Sequence, residues 1–457
     1  MSETSTDTES QPEFCQMETI SISDNNEAKN TSLSLHIEVR LNKKVPKSLA
    51  MEKLSEIGSF VNSQLSKSRN WKPIDLQEVC DPVSDYSDKN IKLENIIEKV
   101  LIGCNQLDDG QSLSSASEFI PSIDNCHIYK LNTDGPLSQS IGEDEDSIIG
   151  SQLWQLPCIE FESTWENLIY DSNLKNEIIS YVYALLRLSE KRANPKIINV
   201  NRLIMLIGPP GTGKTSLCKG LTQHLAIRLN TKYSHSVLVE INSHSLFSKW
   251  FSESGKLVQK MFDQIDELAD DPKCMVFVLI DEVESLGMCR ESSSSRSEPA
   301  DAIRAVNALL TQIDRIRRRE NVLILCTSNL EESLDRALVD RADIVRHVGI
   351  PSHFALYSML KSCIIELERI GIVSESNCLK LAAVEDILEE ENSANLTTET
   401  KTLLGIARDA HGLSGRAISM LPALVLSKSL EDVISLDKCL KYFKQAVKER
   451  KQRAEIA

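Results

Sequence analysis

The sequence predicts an α/β protein in which a parallel five-stranded sheet core stands between a small α/β N-terminal domain and a C-terminal helical domain. In the middle of the chain, short β-branched segments alternate with longer helical segments, a pattern typical of stacked βαβ units. Before them an alternation of apolar and polar residues predicts a strand, and after Pro351 no convincing strand pattern remains. A chain of 457 residues is too long for one compact core and suits two or three domains.

The first part of the chain predicts a tail followed by a small domain. Residues 1–30 are polar and lack apolar periodicity, so we expect a disordered tail. Apolar residues alternate with polar ones over Leu33–Leu41, which predicts a half-buried strand, and Leu49–Leu65 has the spacing of a helix. Cys126–Leu131 predicts another strand. Together these segments predict an N-terminal domain over residues 31–134.

The remainder of the chain is expected to form a linker and two domains. Residues 135–164, which carry an acidic run at Glu143–Asp146, are expected to be a linker. Residues 165–350 hold the alternating pattern, and residues 351–457 are expected to be helical. The predicted strands are Leu203–Ile207, Val237–Ile241, Val276–Ile280, Val322–Cys326 and Ile344–Ile350. The predicted helices are 214–229, 256–268, 302–316, 354–370, 400–410, 416–427 and 436–451.

Composition narrows the classes of function. The net charge of −16 argues against a protein that binds nucleic acid through a broad basic face. The 12 cysteines form no Cys-x-x-Cys pair and have no zinc-finger spacing with histidine, which points to a reducing compartment, the cytosol or nucleus. No apolar run approaches the roughly 20 residues that span a bilayer, so we expect no membrane segment.

A glycine-rich segment follows the strand Leu203–Ile207 and opens a helix, which is the setting that a phosphate-binding loop requires. Its backbone amides are expected to surround phosphate oxygens at the positive end of the helix. Lys214 is expected to reach the β- and γ-phosphates of ATP, and the Thr215 hydroxyl to bind Mg²⁺. The residues predicted to bind the nucleotide are Gly208, Pro209, Pro210, Gly211, Thr212, Gly213, Lys214, Thr215 and Ser216.

Two adjacent carboxylates end the apolar strand Met275–Ile280. Asp281 is expected to hold Mg²⁺ together with Thr215, and Glu282 to polarise the water that attacks ATP. Asn329 follows the next predicted strand, where a polar side chain can touch the γ-phosphate or the water; a turn-forming asparagine is the alternative interpretation. Hydrolysis, as opposed to nucleotide binding alone, rests chiefly on Glu282.

Three arginines are further candidates. Arg341 is a candidate arginine finger that reaches the γ-phosphate of a neighbouring subunit, and Arg336 is its rival. The alternative for Arg341 is an ordinary surface ion pair with a nearby aspartate. Arg416 opens a helix of the C-terminal domain, from which it can close over the nucleotide; a solvated arginine in a first helical turn is the alternative.

One aromatic segment distinguishes the chain from small phosphate-loop enzymes. Lys249, Trp250 and Phe251 lie in a predicted loop after the second strand of the sheet, in a chain that is only 5% aromatic. Buried loop packing is the usual explanation for such a cluster. The other interpretation is an exposed grip on an unfolded substrate in a central channel. Ser292–Ser297 can form a second channel loop, or it can be a disordered insertion.

These motifs together resemble the AAA+ family and, more narrowly, its pachytene checkpoint branch, which is also named for thyroid hormone receptor interactor thirteen. The likeness is strong over about Trp165–Met420 and weak over Leu33–Gly150. The segments that carry it are Gly208–Thr215, Ser243–Lys256, Ile280–Ser285, Val339–Ile344 and Gly412–Arg416.

The resemblance implies an ATPase that uses ATP and Mg²⁺ in a homohexameric ring. Such a ring partly unfolds HORMA-domain proteins, from their closed to their open form, by pulling a segment through its pore. The resemblance implies that Asn329 and Arg416 are the two nucleotide sensors and that Trp250 is the pore-loop aromatic. The N-terminal domain would bind substrate and adaptor.

The same resemblance implies partners and a location. The expected clients are the mitotic-arrest-deficient checkpoint protein, reached through a comet-type adaptor, and meiotic chromosome-axis proteins. The expected location is the nucleus and chromosomes, including kinetochores, and also the cytoplasm. The likeness is weakest in the N-terminal domain, which leaves the choice of adaptor and client open.

Two other classes of function are kept open by the residues themselves. A clamp-loader-like or initiator ATPase acting on nucleic acid would fit the basic last helix, which carries Lys441, Lys444, Lys448, Arg450, Lys451 and Arg453. A solvated helix face explains that run more simply. The other class is a scaffold that binds ATP and assembles without unfolding another protein, and it would have no need of Glu282.

Overall fold

The computed structural model shows three successive units: a three-stranded N-terminal sheet, a large α/β domain and a helical C-terminal domain. The residues that it describes are 35–43, 45, 96–104, 126–141, 148–171, 173–242, 254–285, 299–330, 334–374, 381–384, 387, 396–429 and 431–456. The predicted tail, the predicted helix Leu49–Leu65, the acidic run Glu143–Asp146 and the serine stretch Ser292–Ser297 lie outside these residues.

The N-terminal sheet has β1 (Leu35–Leu41) at its centre. β2 (Ile97–Cys104) pairs with it antiparallel and β3 (Cys126–Tyr129) pairs with it parallel. β1 and β3 confirm two predicted strands, whereas β2 was not predicted. The prediction that β1 is half-buried is wrong, because both of its faces are buried. Its polar residues are tolerated inside because they form ion pairs with side chains of other segments.

The large domain is built on a seven-stranded sheet with the order β10-β6-β9-β8-β7-β5-β4. The first five strands in that order are parallel, as predicted, and β5 and β4 extend the sheet antiparallel. The strands are β4 (Leu137–Ile141), β5 (Ile148–Leu156), β6 (Leu203–Ile207), β7 (His235–Asn242), β8 (Cys274–Asp281), β9 (Val322–Ser328) and β10 (Ile344–His347).

Helices cover both faces of this sheet, as apolar parallel strands require. One buried cluster lies beneath α4 and α5, and a second lies beneath α2 and α3. The helices are α1 (Thr164–Asn167), α2 (Leu174–Glu190), α3 (Lys214–Arg228), α4 (Ser254–Ala269), α5 (Pro299–Ile316) and α6 (Arg336–Val339).

The expectation of a linker over residues 135–164 is corrected by the structure. This segment supplies β4, β5 and the short α1, and Ser151–Leu156 of β5 pair with β7. The acidic run Glu143–Asp146 suggests a solvated connection, but the strand β5 that follows it has apolar residues on both of its faces. Leu153 and Trp154 are each buried, in the two different core clusters. The segment therefore belongs to the large domain's sheet.

The C-terminal domain is helical, as predicted, and has its own apolar core. The single helix predicted over 416–427 is divided, since Pro422 stands in the first turn of a second short helix. The helices are α7 (His353–Arg369), α8 (Thr398–Asp409), α9 (Gly415–Ser419), α10 (Leu421–Leu426) and α11 (Leu436–Ile456). Within the described part of the chain, none of the helices combines the length and apolar character needed to cross a membrane.

Candidate active site

The phosphate-binding loop connects β6 to α3 in a backbone conformation that favours glycine. Gly208, Gly211 and Gly213 have φ angles of +152°, +79° and +93°. A Cβ atom on Gly208 would lie 2.2 Å from the carbonyl oxygen of Val348, so no side chain fits there. The loop also closes on itself, because the Thr212 hydroxyl donates to the Pro209 carbonyl at 3.0 Å. The predicted loop is therefore a rigid cradle at the N-terminus of a helix.

Lys214 is the first residue of α3 and its side chain lies along the inside of the loop. The residue is buried, and its Nζ donates to the carbonyl oxygens of Gly208 and Pro209 at 2.7 and 2.8 Å. Burial lowers the pKa of Lys214, and the carboxylates of Glu284 and Asp281 oppose that shift. The ammonium group is thus held where phosphate oxygens enter the cradle.

Oxygen donors from three elements meet beside Lys214. The Thr215 hydroxyl donates to the two Asp281 carboxylate oxygens at 2.9 and 3.2 Å. The Thr327 hydroxyl, from β9, also donates to Asp281. Mg²⁺ prefers such oxygen ligands and is usually bound through one or two carboxylates together with substrate phosphates. The donor set of Thr215 and Asp281 therefore fits Mg²⁺.

Glu282 has an unusual backbone, with a φ angle of +56°. A left-handed conformation is uncommon for glutamate and is frequent at functional sites. Two contacts hold it: the Glu282 N–H donates to Thr327 Oγ1 at 3.3 Å, and the Ser285 hydroxyl donates to the Glu282 carbonyl at 2.9 Å. The strand tip is thereby held in a left-handed turn at Glu282.

Asn329 lies at the same edge, where its side-chain amide donates to Glu284 Oε1 at 2.9 Å. This contact favours a positioned polar group over a simple turn asparagine. Sequence reasoning did not single out Glu284 or Thr327 as site residues. The signal for both was their position, since each lies within three residues of a predicted site residue at the end of an apolar strand.

The segment before α2 forms another wall of the site. The Tyr170 hydroxyl donates to the Gly213 carbonyl at 3.3 Å. A Cβ atom on Gly213 would lie 3.3 Å from the Leu168 side chain and 3.1 Å from the Tyr170 hydroxyl. This segment therefore packs directly against the loop, an arrangement that the sequence did not reveal.

The helical C-terminal domain, called the lid below, also contacts the loop. The Arg416 N–H donates to the Gly211 carbonyl at 3.1 Å, and the Arg416 side chain is exposed. The Ser414 hydroxyl caps α9 by accepting from the Ala417 N–H. It would lie only 2.7 Å from a Cβ atom on Gly211. The lid thus rests on the phosphate-binding loop through its backbone, with Arg416 at the edge of the contact.

Gly211→Ala is expected to weaken nucleotide affinity by on the order of tenfold. A left-handed alanine costs about 1–2 kcal/mol, and its methyl group would press on Ser414 of the lid. Gly405→Ala in α8 is the matched control, because a Cβ atom at Gly405 meets nothing within 4 Å. A fluorescent-nucleotide titration checks both variants. Equal affinity in Gly211→Ala and Gly405→Ala would contradict the lid contact.

The structure does not bring every predicted residue to this site. Arg341 lies beyond α6 and binds Asp314 of its own chain through Nη2 and Nε, at 2.8 and 3.1 Å. Its Nη1 donates to the Ala337 carbonyl at 2.6 Å. Arg336 is exposed at the start of α6. Both remain candidates for contact with a neighbouring subunit.

The residues predicted to contact the substrate, Lys249, Trp250 and Phe251, lie outside the described residues. Of the remaining residues predicted to bind the nucleotide, Pro210 lies in the loop and Ser216 in the first turn of α3, and both are exposed. The roles of the individual residues stay predictions.

Three family descriptions match successive parts of the chain. "ATPase family associated with various cellular activities (AAA)" matches residues 204–350. "Pch2 N-terminal domain" matches residues 31–131. "TRIP13-like, AAA+ ATPase lid C-terminal domain" matches residues 352–451. The three matches follow the N-terminal sheet, the large domain and the lid seen in the structure.

Known relatives extend this similarity over most of the chain. The putative pachytene checkpoint protein 2 of Caenorhabditis elegans is 63% identical over 429 residues, which is 93% of this chain and 99% of that protein. The pachytene checkpoint protein 2 homolog of Homo sapiens is 50% identical over 299 residues, 65% of this chain and 69% of that protein. The solved structure of C. elegans PCH-2 matches with a TM-score of 0.75 at 57% identity, covering 92% of this chain and all of that one.

Proposed function

This chain belongs to the pachytene checkpoint protein 2 family of AAA+ ATPases, and from that premise we propose that it couples ATP hydrolysis to the partial unfolding of HORMA-domain proteins. Members of this family act on HORMA-domain proteins. The observation that supports hydrolysis is the meeting of Thr215, Asp281 and Thr327 beside Lys214, with Glu282 directly after Asp281 in a left-handed backbone conformation. The matching family descriptions and relatives do not favour the alternative of a clamp loader or initiator that acts on nucleic acid.

Each residue of the site has a proposed part in hydrolysis. Lys214 binds the β- and γ-phosphates, and the backbone amides of the loop before α3 position these phosphates. Glu282 accepts a hydrogen bond from water and takes its proton as the water oxygen bonds to the terminal phosphorus. The bond from that phosphorus to the bridging oxygen then breaks and leaves ADP and phosphate. Asn329, held by Glu284, orients the water or the terminal phosphate.

Mg²⁺ is the cofactor that this donor set fits, with Thr215 and Asp281 as its protein ligands. When bound, it neutralises charge on the β- and γ-phosphate oxygens. The Thr327 hydroxyl, which donates to Asp281, fixes the direction in which that carboxylate presents its oxygens.

The ring and its client complete the proposal. The chain forms a homohexamer in which an arginine of one subunit enters the site of the next, and Lys249, Trp250 and Phe251 grip the client in the pore. The N-terminal domain binds the client and a comet-type adaptor. The clients are the mitotic-arrest-deficient checkpoint protein and meiotic axis proteins. The protein acts in the nucleus and on chromosomes, and also in the cytoplasm.

Trp250→Ala tests the client function. Purified full-length protein is mixed with a closed HORMA-domain client, adaptor, Mg²⁺ and ATP, and the fraction of open client is resolved by ion-exchange chromatography. The wild type should open the client. Trp250→Ala should hydrolyse ATP at the wild-type basal rate and leave the client closed, because the grip is lost while the ATPase site is intact.

Trp250→Phe is the control, since it keeps an aromatic face and should open the client. A Trp250→Ala protein that opens the client as fast as the wild type would refute the pore grip. A wild type that hydrolyses ATP and leaves every HORMA client closed would refute the proposed function itself.

A further inference from the structure

The N-terminal domain meets the large domain at the far end of the helix that begins at the nucleotide site. α3 has 15 residues, from Lys214 to Arg228, and a helix of that length spans about 22 Å. Most of its residues are buried, so it is packed as a central rod with little freedom to bend. One end carries the phosphate-binding lysine, and the other end touches β1 and β3.

A buried ion pair joins Arg228, the last residue of α3, to β1. Arg228 Nε lies 2.6 Å from Glu38 Oε1, and the two side chains are only 3% and 4% exposed. Charged hydrogen bonds of this kind are short and directional, and removing one partner leaves a buried charge without compensation. The pair therefore fixes both the position and the direction of contact between the two domains.

Other contacts surround the ion pair and hold it in register. Asn230, just after α3, donates from its side-chain amide to the Ile128 carbonyl of β3 at 2.9 Å. Ile227 packs against Tyr129 and Leu131 in a small apolar cluster. The N-terminal sheet is thus seated on the end of α3 through polar and apolar contacts from two strands.

Two buried histidines, His127 and His224, and the half-buried His36 lie beside Arg228. His36 and His127 stack with ring centroids 5.3 Å apart, and His224 stacks on Trp165 at 5.1 Å. Burial first, and then the charge of Arg228, lowers the pKa of His36 to about 3 and that of His127 to about 4. The same causes lower the pKa of His224. These shifts favour the uncharged form of the three rings, and the carboxylate that contacts Arg228 is that of Glu38.

We propose that the Glu38–Arg228 pair is the joint through which α3 transmits changes at the nucleotide site to the N-terminal domain. Because α3 is rigid, a displacement of the phosphate-binding loop moves both of its ends, and the ion pair carries that motion into β1. Glu38 and Arg228 are positioning residues, remote from the reacting atoms. The importance of this coupling for clients rests on the proposed function, which assigns client binding to the N-terminal domain.

Glu38→Gln in the full-length protein tests the joint. Glutamine keeps the shape and an oxygen acceptor for the Arg228 N–H but removes the charge. Glu190→Gln is the matched control, because Glu190 pairs with Lys232 at 3.1 Å near the same end of α3 while its side chain is 58% exposed. A surface pair of that kind contributes little.

The first readout is amide hydrogen exchange of residues 35–41 with ADP and with a slowly hydrolysed ATP analogue. The wild type and Glu190→Gln should show a difference in exchange between the two nucleotides, and Glu38→Gln should lose it. The second readout is client opening, which should fall by about tenfold or more in Glu38→Gln while basal ATP turnover stays at the wild-type level.

Two outcomes would overturn the joint. One is a Glu38→Gln protein with the wild-type exchange response and client opening; the other is an equal loss of basal turnover and client opening, which indicates a structural role only. If Glu38→Gln does not fold, Asn230→Ala removes a half-buried bond of the same contact and must show a partial loss of the exchange response. A wild-type protein that opens no client would refute the proposed function. The hydrogen-exchange response would still show whether the Glu38–Arg228 pair transmits changes from the nucleotide site.

Discussion

Glu282→Gln is expected to lower ATP turnover by about 10²–10⁴-fold while ATP binding is retained, since a positioned general base contributes that much. The backbone of Glu282 is fixed in a left-handed conformation by Thr327 and Ser285, so glutamine should occupy the same place. It can orient water but cannot take its proton. Phosphate release and nucleotide titration on the same preparation separate turnover from binding.

Glu240→Gln provides the control for this loss. Glu240 lies on the neighbouring strand β7, where it accepts from Trp154 Nε1 at 3.1 Å and pairs with Lys219 at 2.7 Å. Its change to glutamine keeps an acceptor for Trp154 and should leave turnover near the wild-type rate. Turnover in Glu282→Gln equal to that of Glu240→Gln would mean that another group serves as the base.

Arg341→Ala is expected to lower turnover by on the order of 10³-fold in the assembled ring, the smaller end of the effect of an arginine finger. In a single chain Arg341 is bound to Asp314, and the two side chains are 28% and 35% exposed. The hydrogen bond from Arg341 lowers the pKa of Asp314, and the same bond raises the pKa of Arg341. A partly exposed pair of this kind contributes little to stability.

Asp314→Asn separates the two interpretations of Arg341. It weakens the ion pair but leaves the arginine in place, so turnover should be retained if Arg341 acts on the neighbouring subunit. If the ion pair is its whole role, Asp314→Asn should lose as much turnover as Arg341→Ala. Arg336→Ala, measured alongside, distinguishes the two candidates. A large loss of turnover in Arg336→Ala with none in Arg341→Ala would identify Arg336 as the arginine finger.

Local patterns determined what could be predicted of the fold. The five parallel strands were found because each is a short apolar run between helices, and the loop 208–215 is specified by contiguous residues. β5 was missed because its two apolar faces and the nearby acidic run obscured its pairing with β7. The prediction that β1 is half-buried was wrong because Arg228, the partner of Glu38, is 190 residues away in sequence.

The residues of the site also differ in whether contiguous sequence predicts them. Lys214, Asp281 and Glu282 follow from motifs, whereas the contacts of Asp281 with Thr327 and of Glu284 with Asn329 depend on the pairing of β8 with β9. The approach of Ser414 to Gly211 depends on how the lid is oriented. These contacts join elements that are distant in the chain, and one sequence carries no direct signal of them.

The most direct test of the account measures ATP hydrolysis and client opening in one reaction. Phosphate release and the fraction of open HORMA-domain client are followed together as the ATP concentration is varied, with wild-type protein, adaptor and Mg²⁺. We expect the two rates to rise with the same half-saturating ATP concentration and to stop together in Glu282→Gln. Client opening that continues at the wild-type rate without phosphate release would contradict this expectation.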